Sequence, residues 1–216
     1  MSAASLWKMP THIIHSRILI VERQDEAFFF YNFFKYLEID ENAFHIVDIG
    51  GNPKFNANVR LLTKTTNFTE NARTIGIIRD AEKFKAQSAF DSTNSTLSSC
   101  FLPQPEAMKE FTNATISKIS VGVFIMPDCY SAGMFEDLCL QSLPSQFHKC
   151  YDELTHCIQT DSIEKLSKSK IQVHLAMSNP LKYSIGHSAQ SKIWDFSHPC
   201  FNDIKSFLLN FAQQPI

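Results

Sequence analysis

An α/β fold, with a mostly parallel central sheet and helices on both faces, is predicted by three features of the 216-residue sequence. Short β-branched apolar runs alternate with stretches of helical length. Several runs end in a charged residue, as a central parallel strand does where it reaches the edge of its sheet. Turn residues such as Gly50-Gly51-Asn52-Pro53 separate the units.

The first unit is a strand over residues 17–22, which places Glu22 at a strand tip. Asp25 stands where a helix N-cap belongs, ahead of a helix over residues 26–37 that has no Gly or Pro. Seven aromatic residues between Phe28 and Tyr36 cover most of that helix, which predicts deep packing, with cover by a second chain as the alternative. The pattern repeats as a strand over 44–49, a tight turn and an amphipathic helix over 54–64. A third strand over 74–79 runs into Asp80-Ala81-Glu82, and a polar helix follows to about residue 99. Leu102-Pro-Gln-Pro105 marks a loop or hairpin. A fourth strand over 120–126 closes with Pro127-Asp128, and Gly133 opens a helix over 134–143. Residues 147–158 and 201–211 read as helices, whereas 170–177 fits strand and helix periods equally badly. No repeat or boundary divides the chain, so a single domain over 1–216 is expected, with its core in 17–140 and a helical completion over 145–213.

Composition narrows the classes. At 44% hydrophobic and 19% charged the chain is ordinary for a folded domain. Its formal charge of −2 means that any nucleic acid must meet a local basic patch rather than a global positive field. No run approaches the roughly 20 apolar residues that span a bilayer, and residues 1–16 lack the apolar core of a secretory signal. A cytoplasmic protein without a membrane partner is expected. Six cysteines at irregular spacing, without C-x-x-C, predict free thiols rather than disulfides or a zinc ribbon. His148, Cys150, His156 and Cys157 match no zinc spacing either, and the Asn-x-Thr/Ser triplets at Asn67, Asn94 and Asn113 carry no weight without a secretory signal. Nineteen Phe against six Gly point to large buried aromatic area, or to apolar surface kept for a partner, and a homo-oligomer stays open.

Three strand ends carry acids: Glu22, Asp80 with Glu82, and Asp128. Ligands of open α/β sheets bind outside those ends, and carboxylates crowded together require a cation, for which hard oxygen donors suit Mg2+ or Mn2+. Each acid alone reads equally well as a cap or a solvated turn residue.

Residues 18–22 followed by Asp25-Glu26 resemble the first motif of the Toprim fold, a Rossmann-like arrangement, and residues 74–82 resemble its D-x-D strand. Further stretches, among them Gly76-Ile-Ile-Arg-Asp-Ala81, Glu136-Asp-Leu-Cys139, Gly186-His-Ser-Ala-Gln190 and Trp194-Asp-Phe196, resemble a small Toprim-like family without an assigned activity. That family is similar in turn to the Toprim nucleases of the OLD (overcoming lysogenisation defect) class. The resemblance implies two metal ions, Mg2+ or Mn2+, held by Glu22 with Glu26, by Asp80 with Glu82, and by Glu136 with Asp137. Asp128 is a further strand-end candidate, and Lys168 or Lys170 takes the place of the class's catalytic lysine. Two ions about 3.5–4 Å apart activate water and stabilise the leaving oxygen of a phosphodiester, and a lysine adds charge for the transition state. Two residues depart from the Toprim pattern: Arg23 stands where Gly is usual, and Glu82 replaces the second Asp. No G-x-x-x-x-G-K-[ST] occurs, so the resemblance implies a separate ABC-type ATPase subunit, as in an anti-phage defence complex, with nucleic acid as substrate. The second reading is an inactive Toprim module that binds a protein partner or a nucleotide.

Overall fold

The computed structural model describes residues 7–113, 118–158 and 166–216. Four strands, β1 (Arg17–Val21), β2 (Phe44–Asp48), β3 (Thr74–Asp80) and β4 (Ser120–Met126), form one sheet in the order β2-β1-β3-β4, and every pairing is parallel. The expected α/β architecture is therefore present. β3 and β4 are buried along their whole length, which is why they read as continuous apolar runs rather than as alternating ones.

Both faces of the sheet are covered. On one, Ile18, Ile20, Val47, Ile75, Ile77, Val121, Val123 and Ile125 pack against α2 (Phe55–Thr63), α3 (Phe68–Asn71) and α4 (Ala86–Ser99). On the other, Leu19, Val21, Ile46, Ile78, Phe124 and Met126 meet α1 (Gln24–Tyr36) and the helices that follow β4. These are α5 (Phe135–Leu140), α6 (Ser145–Cys157), α7 (Leu166–Ala176), α8 (Ile185–Gln190) and α9 (Asn202–Gln213). Residues 170–177, ambiguous by periodicity, thus fall mostly in helix, while α3 and α8 were too short to carry a periodic signal.

The aromatic helix α1 resolves as core. Phe29, Phe30, Phe33 and Phe34 are fully buried, and Phe33 stacks on Phe196 at 4.4 Å between ring centroids. Burying four such side chains stabilises by about 6–12 kcal/mol. That margin carries the buried Glu26 of the same helix, because an ionised carboxylate costs several kcal/mol to bury.

Asp25 is not the N-cap of α1. The helix starts at Gln24 with Arg23 at the cap and no side-chain bond. The Asp25 carboxylate instead accepts the N–H groups of Ile185 (3.1 Å) and Gly186 (2.9 Å), so it caps α8, a segment 160 residues away. Gly186 permits this contact: a Cβ there would lie 2.4 Å from the Asp25 carbonyl oxygen. In an unconstrained helix Gly→Ala stabilises by roughly 0.5–1 kcal/mol. Here Gly186→Ala is expected to destabilise by about 1–3 kcal/mol, as overpacking does, and the sign of the change in urea unfolding checks the docking of α8 on α1.

The helix predicted from about residue 81 begins only at Ala86. Glu82 adopts φ +60° and is bridged to Gly133, its N–H donating to the Gly133 carbonyl at 2.8 Å and Gly133 N–H returning at 2.9 Å. Gly133 itself stands at φ +145°. It serves as the strap that fixes the Glu82 loop rather than as a helix start. All six cysteines are free thiols.

Candidate metal centre

In a sheet ordered β2-β1-β3-β4 the connection from β1 to β2 and that from β3 to β4 run in opposite directions, so the cleft lies between the carboxyl ends of β1 and β3. Glu22 follows β1 directly and Asp80 ends β3. Adjacent parallel strands thus place the two acids side by side at the switch point. Glu22, Asp80 and Glu82 each offer a carboxylate oxygen, and these oxygens all lie within 4.8 Å of one another. Among the described residues no other group of three or more His, Cys, Asp or Glu side chains converges in this way. The His and Cys residues of α6 form no such group.

The carboxylates of Glu22, Glu26 and Asp80 are held by neighbouring backbone. Glu22 Oε1 accepts from the Asp80 N–H at 3.3 Å, and the Glu22 N–H donates to Glu26 Oε2 at 2.9 Å. Asp80 Oδ1 accepts from the Phe135 N–H at 2.8 Å, which ties the first residue of α5 to the end of β3 and leaves Oδ2 free for a ligand. Glu22 is buried, Asp80 nearly so, and Glu82 is half-buried beside a cavity of about 350 Å³ that Asn52, Asp80, Lys83 and Ser88 also line.

The electrostatics follow from that crowding. Burial pushes the Asp80 carboxyl well above the usual carboxylate range, and the charges of Glu22 and Glu136 add to it against the Phe135 N–H. Glu26 is raised in the same way, by burial and then by Asp80 and Glu22. Glu22 is raised by burial, opposed chiefly by Arg79. A cation is what such a group of carboxylates lacks.

Arg79 supplies one fixed positive charge, a role that the sequence reading missed. It is 2% exposed, its Nε lies 3.5 Å from Glu22 Oε1, and its two terminal nitrogens donate to Thr93 Oγ1 (2.9 Å) and Asn52 Oδ1 (2.6 Å). The guanidinium stacks over Phe55 at 4.1 Å. The signal was present in the sequence, since a charged residue inside an apolar central strand must be partnered.

The remaining candidates divide. Glu136 raises both Glu26 and Asp80 by its charge, and its Oε1 lies 3.5 Å from Lys168 Nζ; both therefore belong to the rim of the cluster. Lys170 turns away to Asp152 at 3.2 Å and lies over the Tyr151 ring, so of the two lysines the structure brings Lys168 to the site. Asp137 is not in the cluster: its Oδ2 accepts the Met134 N–H at 2.7 Å and its Oδ1 the Ser167 hydroxyl. Asp128 is not in it either. Its Oδ1 accepts the N–H groups of Tyr130 and Ser131, and its Oδ2 the Ser131 hydroxyl. These donors outweigh burial and hold the Asp128 carboxyl below its ordinary value. Arg23 is exposed, and among the described residues its side chain makes no hydrogen bond or ion pair, while its carbonyl accepts the Ala27 N–H at 3.0 Å.

The donor set fits a hard divalent cation: three converging carboxylates, two of them raised, with a single buried arginine against them. No helix among the described residues is long and apolar enough to cross a membrane. Residues 16–213 match the sequence profile of a family described as "Protein of unknown function (DUF3226)". No curated protein and no solved structure matches the chain.

Proposed function

The chain belongs to the DUF3226 family, and from the geometry of its acid cluster we propose that it is a Toprim-type, divalent-metal-dependent nuclease that hydrolyses phosphodiester bonds. The observation that carries this reading is the convergence of Glu22, Asp80 and Glu82 within 4.8 Å at the sheet's switch point. Glu22, Asp80 and Glu82 would hold the ion, Mg2+ or Mn2+, with Glu26 and Glu136 as the nearest acids for a second. Bound there, it would supply an activated water and charge stabilisation for a phosphodiester.

The chain's own residues do the rest. Phe135 N–H fixes the Asp80 carboxylate by binding its Oδ1. Arg79, 3.5 Å from Glu22 Oε1, opposes the rise that burial imposes on that carboxyl and holds it in place. Gly133 holds the Glu82 loop in its left-handed turn. Lys168, paired with Glu136 at the rim, offers the positive charge that a phosphoryl transition state, richer in negative charge than its ground state, requires. A separate ATPase partner, which the resemblance to OLD-type Toprim proteins implies, belongs to the same proposal.

The reading is tested by incubating plasmid DNA and structured RNA with the purified chain in Mn2+, in Mg2+ and in EDTA. Cutting in either metal that stops in EDTA is the expected result. If the acids bind metal and nothing is cut, the chain either needs its ATPase partner to cleave or is a Toprim-like binding module instead.

A further inference from the structure

Beside Glu22 opens a cavity of about 800 Å³, lined by Arg23, Phe28, Lys182, Tyr183, Ser184 and His187 among others. We propose that it takes an unstacked base, with its flanking phosphate, from a single-stranded nucleic acid; this rests on the nuclease reading and names the form of its substrate.

Three features of the cavity carry the inference. The first is an aromatic wall: Phe28 and His187 stack at 4.7 Å with their planes 16° apart, and Tyr183 stands 77% exposed at the rim. Exposed rings beside a cleft are what single strands use, because every base has a face to stack. The second is charge. The Arg23 guanidinium has no partner among the described residues, and Lys182 Nζ donates only to the Ser191 hydroxyl, at 2.6 Å. The one carboxylate of the lining, Asp25, has both oxygens occupied by the Ile185 and Gly186 N–H groups. Two cations therefore face the cavity against an acid that is already satisfied, which suits a phosphate. The third is position. Arg23 and Gln24 line the cavity and follow Glu22 directly in the chain, so the cavity opens on the same strand-end segment that carries one of the cluster's acids. A duplex keeps its bases stacked inside and cannot present one to a concave wall without unpairing it.

The test is fluorescence anisotropy in EDTA, where nothing is cut, with labelled mixed-sequence DNA and RNA strands and the same DNA as duplex. Single strands are expected to bind at least tenfold more tightly than the duplex. Tyr183→Ala, at an exposed position that leaves folding intact by circular dichroism, weakens them by roughly five- to a hundredfold. Arg23→Glu weakens them further and flattens the salt dependence. Equal affinity for duplex, or a Tyr183→Ala protein that binds as the original does, overturns the proposal. So does wild-type protein that ignores single strands, and in that case calorimetry of Mn2+ binding on the same sample shows whether the metal centre stands without it. Strand binding without Mn2+ binding would keep this site and remove the nuclease.

Discussion

Asp80→Asn is expected to lower metal-dependent cleavage by about two to three orders of magnitude, the scale seen when one preorganised group is removed from a charge-stabilising site, while raising the stability of the metal-free protein at neutral pH. The two effects share one cause. Asn keeps an oxygen for the Phe135 N–H, so the tie between β3 and α5 survives, but the charge is gone. In the folded protein the carboxyls of Glu22, Glu26 and Asp80 are all raised, Glu26 and Asp80 well above the usual range. Groups of that kind hold more protons folded than unfolded. Their contribution to stability is complete below the unfolded values near pH 4 and is lost as pH rises through the folded ones. Metal-free wild type should therefore lose stability from about pH 4 upward, and Asp80→Asn should flatten that fall. Divalent metal should restore the wild type, by about 2.7 kcal/mol at a hundred times its Kd. Thermal unfolding across pH, with EDTA and with Mn2+, reads all three. A variant that cuts as well as the wild type would place the chemistry elsewhere.

Arg79→Leu should cost about 3–5 kcal/mol in urea unfolding of the EDTA-treated protein, the penalty for leaving one partner of a buried ion pair uncompensated. Glu22 would then be left among Asp80, Glu82 and Glu26 with no buried opposing charge among the described residues. Thr93 and Asn52 would lose their donors as well. Two further measurements separate this account from simple loss of packing over Phe55. Mn2+ should recover a large part of the loss in Arg79→Leu, because a cation returns to the acids. The Arg79→Leu, Glu22→Leu double variant should be less destabilised than the two single changes added together. A single-variant loss below about 1 kcal/mol would fall in the range of exposed pairs and mean that Arg79 does not support the cluster.

Much of this arrangement was legible in the chain. Runs such as 74–80 and 120–126 announce strands because full burial leaves no polar alternation, and their alternation with helices fixes a parallel sheet. Glu22, Asp80 and Glu82 could be singled out because a charge at the end of such a run sits at a strand tip. Their meeting could not be read, since periodicity yields elements and not neighbours. The order β2-β1-β3-β4 is what makes Glu22 and Asp80 adjacent. Asp128 obeyed the same rule yet closes a turn with Tyr130 and Ser131, an outcome that short-range hydrogen bonding decides. Asp25 looked like a local cap and is a distant one, because the N–H groups that need it lie on α8. Arg79 was passed over as strand sequence although its burial demanded a partner. The helix was expected from about residue 81 and begins at Ala86, since nothing in Asp80-Ala81-Glu82 marks the left-handed turn at Glu82 that its bridge to Gly133 fixes.

The most direct test of the central claim, that the acids at the switch point hold a divalent metal, is a calorimetric titration of Mn2+ into EDTA-stripped wild-type and Asp80→Asn protein at neutral pH. Saturable binding by the wild type, with proton release from the raised carboxyls and its loss in Asp80→Asn, is the predicted result. Equal binding by both proteins, or none by the wild type, would contradict it.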